Sequence, residues 1–369
     1  MRDQRIDFFR GLAIYMIFVD HVYGDPLGKF TYKMIGFSDA AELFVFLSGL
    51  ACGIAYSRIF ARQGFFGLTV AIAKRVGRIY LYYALASVAM ILLVITAKQY
   101  GVLNESFGIA TDQPVTVIVS ALLLISPPHL SVILVLYIIL TVVVVPAIVV
   151  AQGRYGSLAL AASGMIWAIS QISSSYLASL THSLFVFFNP FAWQFLFAIG
   201  VTLGIHRDSK QSTMQNLLQV RWLTAAAWAI VLGAFVVKIL SFHSGFGIET
   251  LRLLSIRASA MKANLPPMRL AHFLSMAYLV AIYVRQASKF WEWPISSLII
   301  KTGMHSLEVY SLSVVLVIAV NIFVFARGPS LAGRLGTDSL AFVLLAIAAA
   351  VLAHRRTLTL RHPVQSSSD

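Results

Sequence analysis

Arg5-Ile6-Asp7-Phe8-Phe9-Arg10-Gly11-Leu12-Ala13-Ile14-Tyr15-Met16-Ile17-Phe18-Val19-Asp20-His21 is the stretch whose reading decides the fold. As a helix it puts Asp7, Arg10, Ile14, Ile17 and His21 on one stripe, through alternating steps of three and four. Arg10 and His21 are three turns apart, about 16 Å of rise. With Arg10 at a membrane surface, His21 is expected near the middle of a hydrocarbon layer about 30 Å thick. An ionisable pair, Asp20-His21, is costly at that depth, and it marks a candidate site.

Composition supports a membrane reading. The chain has 369 residues, 59% of them hydrophobic and only 11% charged, with a mean hydropathy of +0.84. A soluble domain has no way to bury so much apolar surface, so an all-α, polytopic integral membrane protein is expected. Charged residues interrupt the first apolar run and no small-residue cleavage site follows it, so it reads as a retained span, not a signal peptide. The single cysteine, Cys52, excludes disulfides within the chain and cysteine-based metal centres. The net charge of +14 suggests nucleic acid at first sight. The basic residues lie between apolar runs, however, where cytoplasmic loops belong, and no nucleic-acid partner is expected.

Apolar runs fall at about 9–23, 37–57, 79–97, 130–150, 156–172, 184–205, 221–241, 268–284, 303–325 and 337–353. The run 115–126, between Pro114 and Pro127-Pro128, is too short to cross and reads as an interfacial or re-entrant helix. About ten spans with both termini in the cytoplasm put most basic residues inside, among them Arg58, Arg62, Lys74, Arg75, Arg78, Arg207, Lys210, Arg355 and Arg356. The opposite count would move the basic loop 206–221 and the basic tail outside. The whole of 1–369 then forms one membrane-embedded domain, with short tails at about 1–8 and 354–369. Two long external loops are expected. Residues 98–114 are mildly acidic through Glu105 and Asp112, and 242–267 carry Arg252, Arg257 and Lys262 against Glu249. The connection 173–183 is Ser-rich and uncharged.

Several constellations stand out, each beside a plainer explanation. Gly49 and Gly53, four apart on the second span, let another helix approach closely. Glu42, one turn into that span, needs a partner or a wet cavity, and the basic groups of the first span or His21 are candidates. Arg75 and Arg78 share a face at the third span and suit a phosphate-bearing ligand, although arginines are common at cytoplasmic helix ends. Asn189-Pro190-Phe191-Ala192-Trp193-Gln194 gathers polar groups that either line a cavity or satisfy backbone freed by Pro190. His129 follows Pro127-Pro128, His272 comes three residues after Arg269, and His305 three before Glu308. None has His-x-x-x-His or Cys/His spacing, so no metal is expected. His21 is the best general base, since an imidazole of reference pKa about 6.5 needs little adjustment. Asp20 or a neighbouring carboxylate would orient it.

The first span, Asp-x-x-Arg10-Gly-Leu-Ala with His21 eleven positions after the arginine, and Arg75-x-x-Arg78 at the third resemble the acyltransferase-3 superfamily. The chain looks most like its OpgC branch, which succinylates osmoregulated periplasmic glucans. The stretches 5–11, 39–49, 189–194, 265–272 and 303–309 carry that likeness in the family's order. One departure is Ile133-Leu134-Val135-Leu136-Tyr137, where the branch has a proline and this chain keeps only the tyrosine.

The resemblance implies an acyltransferase of the bacterial cytoplasmic (inner) membrane. Such an enzyme would take an acyl group, succinyl in that branch, from a cytoplasmic CoA thioester, with no tightly bound cofactor, and deliver it to a hydroxyl of a periplasmic glucan or other surface glycan. It further implies catalytic roles for His21 and Arg10, with Asp20 and Glu42 as orienting carboxylates, and donor contacts from Arg75 and Arg78. Asn189, Trp193 and His305 are the substrate-binding candidates. A transporter using His21, Asp20 and Glu42 as a proton relay is the rival reading, weakened by the lack of internal repeats. A sensor or assembly subunit that has kept the fold without its activity is a third.

Overall fold

Asp3 starts the first helix by accepting the Arg5 backbone N–H at 3.0 Å, satisfying an amide that has no partner within the helix. In the computed structural model, which describes residues 3–102, 109, 112–172, 187–207, 220–242, 262–328 and 330–361, α1 runs Gln4–His21. It is followed by α2 (Ala40–Gln99), α3 (Pro114–Leu122), α4 (Val132–Val150), α5 (Gly156–Ile172) and α6 (Pro190–Ile205). Then come α7 (Arg221–Phe242), α8 (Pro267–Tyr283), α9 (Pro294–Met304), α10 (Ser306–Arg327) and α11 (Leu331–Arg361). No strand occurs among the described residues. The Ser-rich connection 173–183, Glu105, most of 206–221 and of 242–267, and residues 362–369 lie outside them.

The chain is an all-helical membrane protein. Among the described residues, five helices are long and apolar enough to cross a bilayer: α2, α4 with its preceding turn, α7, α10 and α11. The apolar helices α5 and α6 are shorter. Two boundaries differ from the sequence reading. Helix α1 begins at Gln4 and ends at His21, against an expected run of about 9–23, so the histidine occupies the C-terminal end of its helix, about 25 Å from the start. The second and third apolar runs and the basic segment between them form one 60-residue helix, α2, broken only at Gly64, whose φ of 64° a side chain would disfavour. The segment 58–78 is therefore helical on both sides of a sharp bend. Within the described part of the sixth run, α6 starts at Pro190 with Asn189 as its cap.

Contacts along α1 give the bundle two ends. Arg10 donates to Ser48 on the first arm of α2, and His21 shares a cavity with Asp39, Ala40 and Ala41 at the start of that arm. The two run antiparallel. The second arm returns alongside α1, since Met90 reaches the His21 level. Helix α10 also runs with α1: Glu308 pairs with Arg78, and Asn321 donates to the His21 carbonyl at 3.0 Å. Helix α3 enters from the His21 end, and its last carbonyls, of Ala121 and Leu122, accept the hydroxyls of Tyr83 and Tyr80. Those tyrosines lie about 24 Å or more below Gln99 along α2. At nine residues, α3 is too short to cross a bilayer, and its last carbonyls are satisfied by these side chains.

Glycines set the closest approaches. A Cβ on Gly49 or Gly53 would strike the carbonyl oxygen of Phe197 or Val201, and one on Gly200 or Gly204 would strike that of Phe46 or Leu50. The Gly49/Gly53 face thus has its partner in a matching pair on α6, as small residues permit where packing alone drives association. Gly11 and Gly303 do the same for α1 against α9.

At the His21 end, two carboxyls meet. Asp338 on α11 is 1% exposed. Its side chain lies within hydrogen-bonding reach of Asp25 in the loop after α1. Asp25 Oδ1 accepts from the Leu27 N–H at 2.8 Å, but its Oδ2 and both oxygens of Asp338 have no donor among the described residues. Arg334 spends Nη1 on the carbonyls of Tyr23 and Gly24. A proton held between the two acids makes their contact attractive, and burial pushes Asp25 above its ordinary value despite the Leu27 N–H. A raised folded value gives stability that is complete at low pH and is lost as pH rises through it. The melting temperature of purified protein should therefore fall as pH climbs above about 4, the ordinary carboxylate value. Asp338→Asn, which carries its own hydrogens, should flatten that slope; an unchanged slope refutes the shared proton.

Candidate active site

His21 closes α1, and its Nδ1 lies 2.7 Å from the Ile17 carbonyl oxygen. A carbonyl only accepts, so Nδ1 carries the hydrogen and the neutral ring keeps Nε2 as its lone-pair nitrogen. A backbone group orients the imidazole. The sequence reading assigned that task to Asp20 or another carboxylate. Asp20 instead accepts from Thr31 Oγ1 at 2.7 Å and pairs with Lys33 at 2.8 Å, pointing away round the helix as its 100° offset requires.

Two cavities meet at His21. One of about 360 Å³ is lined by Asp20, His21, His129, Asn321 and apolar side chains that include Met90, Val317 and Phe325. The other, about 220 Å³, adds Lys33, Asp39, Lys262 and Tyr310. His129 belongs to both, with its ring centroid 6.1 Å from that of His21 and 4.0 Å from that of Phe187. Pro127-Pro128 marks the turn that delivers His129, but nothing in the sequence pairs it with a residue more than a hundred positions earlier.

Glu42, fully buried, finds its partner on α8. Arg269 donates Nε to it at 2.6 Å and reaches Asp39 at 3.1 Å. Neither the first span nor His21 supplies the expected cation. Asp39 also pairs with Lys262 at 2.8 Å. Burial alone would raise the Asp39 carboxyl, but Lys262 and Arg269 outweigh it and hold it well below the usual carboxylate range. Asp39 and Glu42 further cap α2 reciprocally, as a capping box. Next to them Ser38 Oγ lies 2.6 Å from Nδ1 of the buried His272, so the loop before α2 is fastened to α8 twice.

Asn189 and Trp193 stand behind the cavity wall. Asn189 Nδ2 donates to Asn264 Oδ1 at 2.9 Å, and Trp193 Nε1 donates to the Ala263 carbonyl at 3.0 Å. Together they fix the 262–264 turn that presents Lys262. These two groups anchor that turn, a use neither explanation above named, while Asn189 Oδ1 accepts the Phe191 N–H at 3.0 Å and so satisfies backbone next to Pro190.

The Arg10 end holds the other candidates. Arg10 Nη2 donates to Ser48 Oγ at 3.3 Å, while its buried Nε has no partner among the described residues. Arg75, Cys52 and Tyr137 are within Coulombic reach of its guanidinium. Arg78 pairs with Glu308, so the two arginines diverge, Arg75 toward Arg10 and Arg78 toward α10. His305 occupies the break between α9 and α10, at the Arg10 end and far from His21. Between the two ends lie Ile14, Ile17, Phe44, Tyr137 and Tyr310, all buried. Phe44 packs on both tyrosine rings, with centroids 5.7 and 5.5 Å away.

A helical bundle with a histidine at one end, arginines at the other and two cavities at the histidine defines the candidate site. The chain matches the family described as OpgC protein over residues 2–357, and it belongs to that family. Membership makes it a bacterial membrane protein and a transferase that modifies glucans. Neither the comparison with curated proteins nor that with solved structures gives a match.

Proposed function

We propose that the protein is an O-acyltransferase of the acyltransferase-3 type, which moves a succinyl group from a cytoplasmic CoA thioester to a hydroxyl of a periplasmic glucan. In this reading the chain is one domain in the cytoplasmic (inner) membrane, crossing about ten times with both termini in the cytoplasm. The observation that carries it is His21, with Nδ1 fixed on Ile17 and two cavities meeting at its ring. Two reactants need two approaches to one base.

The step balances simply. Nε2 takes the acceptor hydroxyl's proton as that oxygen forms a bond to the thioester carbon. The carbon–sulfur bond then breaks, and the leaving thiolate takes the proton from the imidazolium. Arg10 Nε, buried without a partner, and the Tyr137 hydroxyl beside it are available to oxygens of the donor. Arg75 and Arg78 supply positive charge for its phosphates on the cytoplasmic side. The ion pairs of Asp20 with Lys33 and Glu42 with Arg269 count against a proton relay through those carboxylates, and so against the transporter reading.

The test is purified full-length protein with succinyl-CoA and a neutral β-glucan oligosaccharide. The expected result is an ester adduct of succinyl mass on the sugar, with one CoA released per ester. Release of no CoA above a protein-free control would refute the proposal.

A further inference from the structure

The two cavities at His21 differ in charge. Lys33 and Lys262 line the smaller one, whereas no lysine or arginine is among the residues lining the larger. Each lysine is paired at rest, but each partner has other support. Asp20 keeps Thr31 Oγ1 at 2.7 Å. Asp39 keeps Arg269 at 3.1 Å and the Ala41 N–H at 2.8 Å. Either ammonium is thus able to turn to a third carboxylate without leaving a buried acid unpaired, and each has three donors to share. Asp20, Asp39 and Glu42 balance Lys33, Lys262 and Arg269, so an arriving anion enters a neutral ring whose only movable charges are positive. Both lysines act electrostatically on His21. The smaller cavity also reaches Ile17 and Tyr310, one turn below His21 towards Arg10, the side from which the donor comes under the reading above.

We propose that the smaller cavity is the acyl pocket, and that Lys33 and Lys262 read the free carboxylate of a dicarboxylic acyl group. A thioester lacking that carboxylate gains nothing from the two ammonium groups, so charge, not chain length, sets acyl choice. The larger cavity, with Asn321, His129 and the Tyr23–Phe325 ring pair at 5.1 Å, is left to the acceptor sugar.

This inference rests on the acyltransferase reading, and the experiment separates the two. Transfer to one neutral β-glucan oligosaccharide is measured with succinyl-CoA and with butyryl-CoA, which has the same carbon count but no terminal charge. The wild type should favour succinyl in kcat/KM. Lys33→Met and Lys262→Met should each lower the succinyl-to-butyryl ratio at least tenfold, and Lys33→Arg should restore most of it. A merely structural role would depress both rates together and leave the ratio unchanged. Equal use of both donors by the wild type, or a ratio that survives both substitutions, overturns the lysine assignment while leaving acyl transfer intact. A wild type that turns over neither thioester sinks the acyltransferase reading itself.

Discussion

His21→Ala lowers acyl transfer by about 10²–10⁴-fold, the usual contribution of a positioned general base. The loss falls on kcat, because Arg10 lies about 16 Å away along α1, Arg75 and Arg78 belong to α2, and none of the three is altered. His21 ends its helix, and among the described residues its ring hydrogen-bonds the backbone at Ile17 alone, so the variant should fold and bind donor as before. His21→Gln, which is unable to take a proton near neutrality, should behave like alanine. If both variants keep more than a tenth of wild-type turnover, the histidine is not the base, and the mechanism through Nε2 is wrong. A transporter would instead show changed flux with no ester formed by any variant.

Arg269→Met is expected to cost about 3–5 kcal/mol, because it leaves Glu42 buried opposite an apolar side chain. Arg269 is 3% exposed and Glu42 0%, so water offers neither group relief. The double variant Arg269→Met/Glu42→Leu removes both charges and should recover more than half of that loss, as apolar replacement of buried pairs commonly does. Thermal unfolding in a fixed detergent reads both. Equal destabilisation of the single and double variants would show that the arginine works through Asp39 and not through Glu42. The same comparison separates stability from chemistry: the double variant tests whether a carboxylate at position 42 matters to turnover once folding is restored.

The residues that decided the fold were legible because helical periodicity is local. The Arg10–His21 stripe, the Gly49/Gly53 face and the short helix after Pro114 each follow from spacing within one segment. Partners are not local, and there the sequence was silent. Glu42 announced a need for a cation, but Arg269 stands 227 residues away and looked like an ordinary residue at a span end. His129 and the two lysines meet His21 only in the folded bundle, where they line one cavity with it. The bend at Gly64 was hidden for a different reason. Basic residues there resemble a cytoplasmic loop by composition, yet Arg, Lys, Gln and Ala are good helix formers, so the chain stays helical up to the one position that needs a positive φ.

The packed layer of Ile14, Ile17, Phe44, Tyr137 and Tyr310 between the Arg10 and His21 ends has a bioenergetic consequence. A route that lets an acyl arm reach from one side of a membrane to hydroxyls on the other is also a route for protons, and each leaked charge dissipates about 2.3 kcal/mol per 100 mV. Under the acyl-transfer proposal, the aromatic side chains here would part for a donor and close behind it, which would make the resting protein a plug as well as a path. In proteoliposomes held at a membrane potential, loosening of this layer would show first as dissipation of that potential.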